Sequence, residues 1–266
     1  MNVFLRELRA HGRSTGSWVL SLTGILVAFM ALYPTFTRDV AVMSEVFEQF
    51  PEVVLDALNI SLATFFSIYG FFGYLLSFAI LAGSIQAMNL GTGIISKEAS
   101  GKTADFLLSK PITRSRVVTA KLGAALVLLI ITNLVFASVA FTVASIMSED
   151  AFSARTFLLM ASTLFLVQLF FLALGALFAV TIPRIKSVVA VSLPTVFAFY
   201  IVGVVGDVLA NDEAWFLTPF KYFETEHIIA NSSLATAPLI VLVVFVAVTI
   251  TLSYLIYVRK DVRASA

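Results

Sequence analysis

KEASGKTADFLLSKPITRSRVVTAK, residues 97–121, is the stretch of sequence that decides how this chain can fold. It lies between two long apolar runs and carries six basic and two acidic residues, namely Lys97, Lys102, Lys110, Arg114, Arg116 and Lys121, with Glu98 and Asp105. Charge at this density cannot be placed in the hydrocarbon of a bilayer. The stretch therefore faces water, and its excess of basic residues predicts the cytoplasmic side.

The rest of the chain has the composition of a membrane protein. Of its 266 residues, 60% are hydrophobic and only 12% are charged, and the mean hydropathy is +1.01. A soluble domain of this length would need more polar surface to cover its core, whereas lipid accepts apolar side chains on the outside. We therefore predict an all-α polytopic membrane protein. The chain contains no cysteine, which excludes disulfides and thiolate metal sites.

Ionisable residues divide the chain into uncharged windows, and a helix needs about 20 residues to cross a bilayer. We predict a single transmembrane domain over residues 1–266, with spans at 16–37, 72–96, 115–147, 156–183, 187–206 and 235–258. The window before residue 97 is long enough for two crossings, so charge has to decide the number. Six crossings with a cytoplasmic N-terminus place 14 of the 17 Lys and Arg residues inside: the six named above and Arg6, Arg9, Arg13, Arg184, Lys186, Arg259, Lys260 and Arg263. A seventh crossing would destroy this asymmetry.

Three segments outside the spans have patterns of their own. Residues 1–13 place Phe4, Leu5 and Leu8 at helical spacing, which predicts an interfacial amphipathic helix, although a basic, disordered N-terminus is also compatible. Residues 38–56 are acidic and patterned as a short surface helix. Residues 59–71 are predicted to form a short helix in the outer leaflet, with a bend at Gly70 and Gly73.

Within the charged stretch, residues 103–110 are predicted to form a short helix. Thr103 can cap its start, and Pro111 disfavours helical geometry at Lys110. Its apolar residues Phe106, Leu107 and Leu108 need a covering surface, which is either the membrane or a partner protein.

Nine residues of the stretch form a pattern: Glu98, Gly101, Thr103, Leu107, Leu108, Ser109, Pro111, Arg114 and Lys121. This pattern resembles the signature loop of ABC-2 type transporter permeases, and a weaker echo is TPFKYFE at residues 218–224. The resemblance implies that residues 103–110 are a coupling helix that docks into a cleft of a separate ATPase subunit. The residues that it implies for ATPase binding are Glu98, Gly101, Thr103, Asp105, Phe106, Leu107, Leu108, Pro111 and Arg114.

Residues for catalysis are not brought together by the predicted topology. The two histidines, His11 and His227, fall on opposite sides of the membrane. The outer carboxylates do not recur at the spacing of metal ligands, and no glycine-rich loop ends in Gly-Lys-Ser or Gly-Lys-Thr. We therefore expect no enzyme activity, cofactor or metal in this chain, with ATP and Mg²⁺ bound by the partner subunit.

Polar side chains inside the spans are the remaining functional candidates: Ser84, Gln86 and Asn89 in the second span, Asn133 in the third, Gln168 in the fourth, and Thr195 and Tyr200 in the fifth. Hydrogen bonding between helices and the lining of a transport pathway explain them equally well. The possible pathway residues are Ser84, Gln86, Asn89, Thr195 and Tyr200, since the second and fifth spans line the route in the resembled family. Gly91 and Gly93 are predicted to permit close helix packing.

The function that the resemblance implies is a permease subunit that exports an amphipathic or hydrophobic cargo, such as a lipid, drug or peptide. Its expected partners are two ATPase subunits, a second permease copy (identical or related) and the lipid bilayer, and we expect no nucleic acid. The expected location is the cell membrane, with both termini in the cytoplasm. The alternative is a membrane protein that does not use ATP: a channel, a secondary carrier or an assembly factor.

Overall fold

The computed structural model describes residues 3–38, 40–51, 54–55, 62–100, 113–148, 151–209 and 212–259, and no strand occurs within these ranges. The helices are α1 (Val3–Met30), α2 (Tyr33–Arg38), α3 (Val40–Glu48), α4 (Leu62–Phe65), α5 (Ile68–Ser100), α6 (Arg114–Met147), α7 (Ala154–Thr181), α8 (Val188–Val208), α9 (Thr225–Asn231) and α10 (Thr236–Arg259). Six of the described helices are long and apolar enough to cross a membrane: α1, α5, α6, α7, α8 and α10. The predicted all-α fold with six spans is confirmed.

Helix α7 lies at the centre of the bundle. Its most apolar 18-residue window is 72% buried, whereas the corresponding windows of α1, α8 and α10 are 17% buried. Helix α7 packs most extensively on α5 and also contacts α6 and α10, while α1 packs on α6 and on α5. Helix α8 packs on α5. The peripheral spans therefore present most of their apolar surface outward, as lipid permits.

The ends of the helices define two ends of the bundle. The Phe4 ring lies 3.8 Å from the position that a Cβ would take on Gly123, and Val188 lies 3.8 Å from the same position on Gly93. These contacts bring together the starts of α1, α6 and α8 and the last turns of α5, and we call this the basic end. At the opposite end, which we call the aromatic end, the Tyr33 and Phe71 rings pack with centroids 5.4 Å apart.

The N-terminal segment differs from its sequence-based prediction. We predicted that residues 1–13 form an interfacial helix separate from a span at 16–37, but α1 runs without a break from Val3 to Met30. The junction contains no proline, and Thr15 is buried against the bundle, so nothing there stops the helix. Phe4 and Leu8 pack against the buried residues of the neighbouring spans. This segment therefore continues the first span at the basic end.

The chain before α5 turns sharply. Helix α4 ends at Phe65 and α5 begins at Ile68, so the break comes before the predicted bend at Gly70. A Cβ on Gly70 would lie only 2.1 Å from the Thr64 carbonyl oxygen. Because any larger residue would collide with backbone there, glycine is what allows the chain to approach itself at this point.

Residues 212–231, between α8 and α10, pack into the aromatic end. Two short 3₁₀ helices, Asp212–Leu217 and Pro219–Lys221, precede α9. The Thr218 hydroxyl donates to the Phe199 carbonyl at 2.8 Å. Tyr222 is buried beside the Phe170 ring, and this burial raises the pKa of its phenol. The burial of Tyr222 makes it part of the packed interior of the bundle.

Candidate functional site

The central contact of the bundle is a backbone approach between α5 and α7. A Cβ on Gly91 of α5 would lie 2.4 Å from the Leu172 carbonyl oxygen, and a Cβ on Gly175 of α7 would lie 2.7 Å from the Met88 carbonyl oxygen. Helices that approach this closely require small residues at the contact. The predicted packing role of Gly91 is confirmed. Gly93 instead faces Val188 of α8 at ordinary contact distance.

A hydrogen-bonded group of side chains, which we call the polar junction, lies beside this contact. It consists of Gln86, Thr132, Asn133 and Gln168. The Asn133 amide nitrogen donates to Gln168 Oε1 at 2.6 Å, and Gln168 Nε2 donates to Gln86 Oε1 at 3.2 Å. Gln86 Nε2 then donates to the Thr132 hydroxyl at 3.0 Å. The bonds pass from α6 to α7, from α7 to α5, and from α5 back to α6.

The polar junction is deeply buried. Gln168 and Thr132 are fully buried, and Gln86 is 3% exposed. An amide placed in an apolar environment without hydrogen bonds is costly, so the three helices are held where these amides hydrogen-bond to one another. Of the two explanations that the sequence allows for these residues, the structure shows hydrogen bonding between helices for Gln86, Asn133 and Gln168. Thr132 was missed because threonine inside a helix usually bonds to its own backbone, as Thr132 also does to Leu128.

Gln168→Leu is expected to destabilise the chain by about 1–2 kcal/mol, because Gln86 Oε1 loses its donor in a buried site and interhelical bonds in membranes have modest strength. The measurement is reversible unfolding in mixed micelles with increasing denaturing detergent. Thr142→Val is the matched control, since among the described residues the Thr142 hydroxyl bonds within its own helix, to the Ser138 carbonyl. Equal stability of the two variants would contradict the structural role of the polar junction.

The five predicted pathway residues differ in their surroundings. Ser84 is fully buried and Gln86 belongs to the polar junction, whereas Asn89 is partly exposed. On α8, Thr195 donates to the Val191 carbonyl at 2.7 Å, and the Tyr200 ring packs 5.5 Å from that of Phe220. Helices α5 and α8 are in contact, so these residues lie on neighbouring spans. Their role in a pathway stays a prediction.

Some buried oxygens have no hydrogen-bond partner among the residues that the structure describes. They are Ser84 Oγ, Asn89 Oδ1, Thr92 Oγ1 and Asn133 Oδ1. Thr92 Oγ1 lies 3.0 Å from the position that a Cβ would take on Gly175, so the Cα hydrogen of this glycine faces it. Weak bonds from Cα–H to oxygen are common where helices approach closely. The Thr92 oxygen is therefore accounted for by the same backbone approach.

Two charged residues that the sequence places in water are buried at the basic end. Lys121 is fully buried, and its Nζ donates to the Ile94 carbonyl at 2.5 Å. Glu7 is also fully buried, with Arg6 Nη2 at 3.3 Å and His11 Nε2 at 3.7 Å. The prediction that Lys121 faces water is wrong. Lys121 lies two turns inside α6 and points toward α5, where backbone oxygen replaces its hydration.

Most of the predicted ATPase-binding residues lie outside the described residues: Gly101, Thr103, Asp105, Phe106, Leu107, Leu108 and Pro111. The helices on either side are described. Glu98 lies in the last turn of α5, and Arg114 is the first residue of α6. These two helices are joined directly by the bond from Gln86 to Thr132 and through Gln168 of α7. A force on residues 101–112 would therefore act on α5 and α6, two of the three helices that contribute side chains to the polar junction.

Within the described part of the chain, no three His, Asp or Glu side chains group as metal ligands. Comparison with protein families matches the chain to the model described as ABC-2 family transporter protein, over residues 1–262. A search of curated proteins gave no match.

Proposed function

Because its match to the family model extends over residues 1–262, the chain belongs to the ABC-2 transporter family and is a permease subunit that works with an ABC ATPase, and we propose that it exports an amphipathic or hydrophobic molecule. The observation that carries this proposal is the attachment of the 101–112 loop. The loop joins α5 to α6, and these helices are hydrogen-bonded to each other and to α7. A force applied to the loop by an ATPase would reach the centre of the bundle.

The proposed mechanism separates a central unit from the peripheral spans. Helices α5, α6 and α7 share the polar junction, and α5 and α7 also share the glycine contact, so the three move together. Helices α1, α8 and α10 have mostly outward-facing apolar surfaces, so their displacement breaks fewer buried contacts. ATP binding and hydrolysis in the partner would shift the central unit relative to α8 and so open a route between α5 and α8. Asn89, Thr195 and Tyr200, with Ser84 and Gln86 behind them, are the candidates to line that route.

We propose a second permease copy against α1 and α8. Both helices flank α5, and α8 exposes an apolar row at intervals of four residues: Val189, Leu193, Phe197, Ile201 and Val205. Such a row forms a ridge that can pack into a groove on a partner helix. Three of the six spans, α5, α6 and α7, form a packed centre. One copy therefore leaves little room for a transport route of its own. The complex would then hold two permeases and two ATPase subunits.

The cargo is proposed from the chemistry of the route. The candidate lining residues carry hydroxyl and amide groups among apolar neighbours and no charge, which suits an amphipathic or hydrophobic molecule such as a lipid, drug or peptide. Such a lining gives no intramembrane carboxylate for a proton relay, which argues against a secondary carrier.

The complex is the test of this function. We expect an ATPase with a phosphate-binding loop to copurify with the full chain, and the mass of the complex to fit two permeases and two ATPases. Reconstituted complexes should hydrolyse ATP faster when the cargo is present. A chain that transports with a mass of one permease and no ATPase would instead support the channel or secondary-carrier alternative.

The basic end is proposed to face the cytoplasm of a cell membrane, with both termini there, because most Lys and Arg residues lie at this end. Single cysteines can be introduced into the cysteine-free chain at Ser109 and at Glu226, an exposed residue near the aromatic end. A reagent that cannot cross the membrane is expected to label Glu226→Cys in intact cells and Ser109→Cys only after permeabilisation. The reverse pattern would overturn the orientation.

A further inference from the structure

We propose that α3, with Phe50 just after it, lies in the lipid leaflet around the aromatic end and contacts hydrocarbon with one half of its apolar face. This inference depends on the six-span fold and not on the proposed transport activity. Its starting observation is an apolar face that the chain itself covers only in part. Val42, Val46 and Phe50 are 57%, 46% and 49% exposed.

The apolar face of α3 is divided into two halves. Residues four apart lie on one side of a helix, so Val42 and Val46 form one row, and Phe50 follows in the turn after α3. Phe47 lies on the adjoining row and is partly buried, with its ring 5.2 Å from that of Phe65 and 6.3 Å from that of Phe66. The row of Phe47 holds α3 against the bundle, and the row of Val46 is left facing outward.

The remaining face of α3 is polar. Glu45 and Glu48 of α3 and Gln49 just after it are exposed, and Glu48 lies on nearly the opposite side of the helix from Val46. An apolar row beside an acidic row is the pattern of a helix that lies along a membrane surface, with its charges toward water. A soluble loop with the same three apolar side chains would expose them to water at an energetic cost.

The depth of α3 selects lipid as the occupant. Phe65 and Phe66, on which Phe47 packs, come immediately before Ile68, where α5 and its candidate membrane span begin. Helix α3 therefore lies at the level where the spans begin. The outward surface of the first span at this level is also apolar, since Phe29 in α1 and Leu32 just after it are 47% and 46% exposed. The row of Val46 adds to the lipid-facing surface of the first span.

Spin-label accessibility tests this proposal, because the chain has no cysteine of its own. Nitroxide labels are attached to Val46→Cys and, as a matched control two residues away, to Glu48→Cys, with the full chain and its copurifying subunits in lipid nanodiscs. Collision with oxygen, which concentrates in lipid, is compared with collision with a water-soluble nickel chelate. We expect Val46→Cys to favour oxygen and Glu48→Cys to favour nickel, and Val42→Cys to repeat the behaviour of Val46→Cys.

Each other outcome overturns the proposal in a recognisable way. If Val46→Cys and Val42→Cys collide mainly with the nickel chelate, α3 lies in water. If both labels are shielded from oxygen and from nickel, the row is covered by protein, either a second copy or another subunit. Each variant must show normal membrane insertion and a monodisperse elution profile, so that a misfolded chain is not read as any of these results.

Discussion

Leu107→Asp is expected to abolish most copurification of the ATPase and most transport. Leu107 lies outside the described residues, so this expectation depends on the sequence pattern and on membership of the ABC-2 family. Burying a leucine side chain contributes about 1.5–3 kcal/mol, which corresponds to a loss of about 10- to 150-fold in affinity when it is removed. The aspartate adds the cost of removing a carboxylate from water. The measurement is the amount of ATPase that copurifies per permease, together with ATP hydrolysis stimulated by cargo.

Lys102→Ala is the matched control for this variant. It removes a charge from the same loop but no apolar surface, and an exposed ion pair contributes under about 1 kcal/mol. We expect near-normal copurification with altered salt sensitivity. If Leu107→Asp inserts normally and keeps full ATPase binding and full coupling, residues 103–110 are not a coupling helix. The apolar cluster would then be better explained as a contact with the membrane surface.

Features that depend on length and composition could be predicted from the sequence. Six spans follow from hydropathy and from the distribution of basic residues, because lipid imposes the same requirement on every helix. Gly91 was also predictable, since a glycine inside an apolar span has few other uses. The polar residues inside the spans could be identified, but their partners could not be predicted. Gln86 and Gln168 are hydrogen-bonded to each other, and a single sequence does not say which helices are neighbours.

The burial of Lys121 and Glu7 could not be predicted. Charge density is a property of a whole stretch, and it does not assign each side chain to water. Whether Lys121 is exposed depends on which face of α6 meets α5, and that is fixed by the glycine contact and the polar junction some turns away. The unbroken α1 has a similar cause. Phe4 and Leu8 pack against neighbouring spans, whereas their spacing in the sequence suggested contact with lipid.

Gly91→Ala is the second large effect that we expect, and it acts on stability. The added Cβ would lie 2.4 Å from the Leu172 carbonyl oxygen and 3.2 Å from the Ala176 backbone nitrogen. Because these are backbone atoms in a central helix, no side-chain rotation can relieve the collision, and α5 must move away from α7. Overpacking of this kind costs about 1–3 kcal/mol and occasionally more. Separation of the helices would also weaken the bond between Gln86 and Gln168, so we expect the upper part of this range or beyond it.

Gly24→Ala separates this steric effect from the general effect of replacing a helical glycine. Gly24 lies inside α1, six residues before its end at Met30, and a Cβ there would meet no atom within 4 Å. Alanine favours the helix by about 1 kcal/mol over glycine, so Gly24→Ala should leave the apparent melting temperature in detergent unchanged or raised. Gly91→Ala gains the same helix preference and should still melt well below the unsubstituted protein. Gly175→Ala should also lower the melting temperature, because its Cβ would lie 2.7 Å from the Met88 carbonyl oxygen. If Gly91→Ala and Gly175→Ala had the same apparent melting temperature as Gly24→Ala, α5 and α7 would not be in backbone contact. The central unit proposed for the transport cycle would then lose its physical basis.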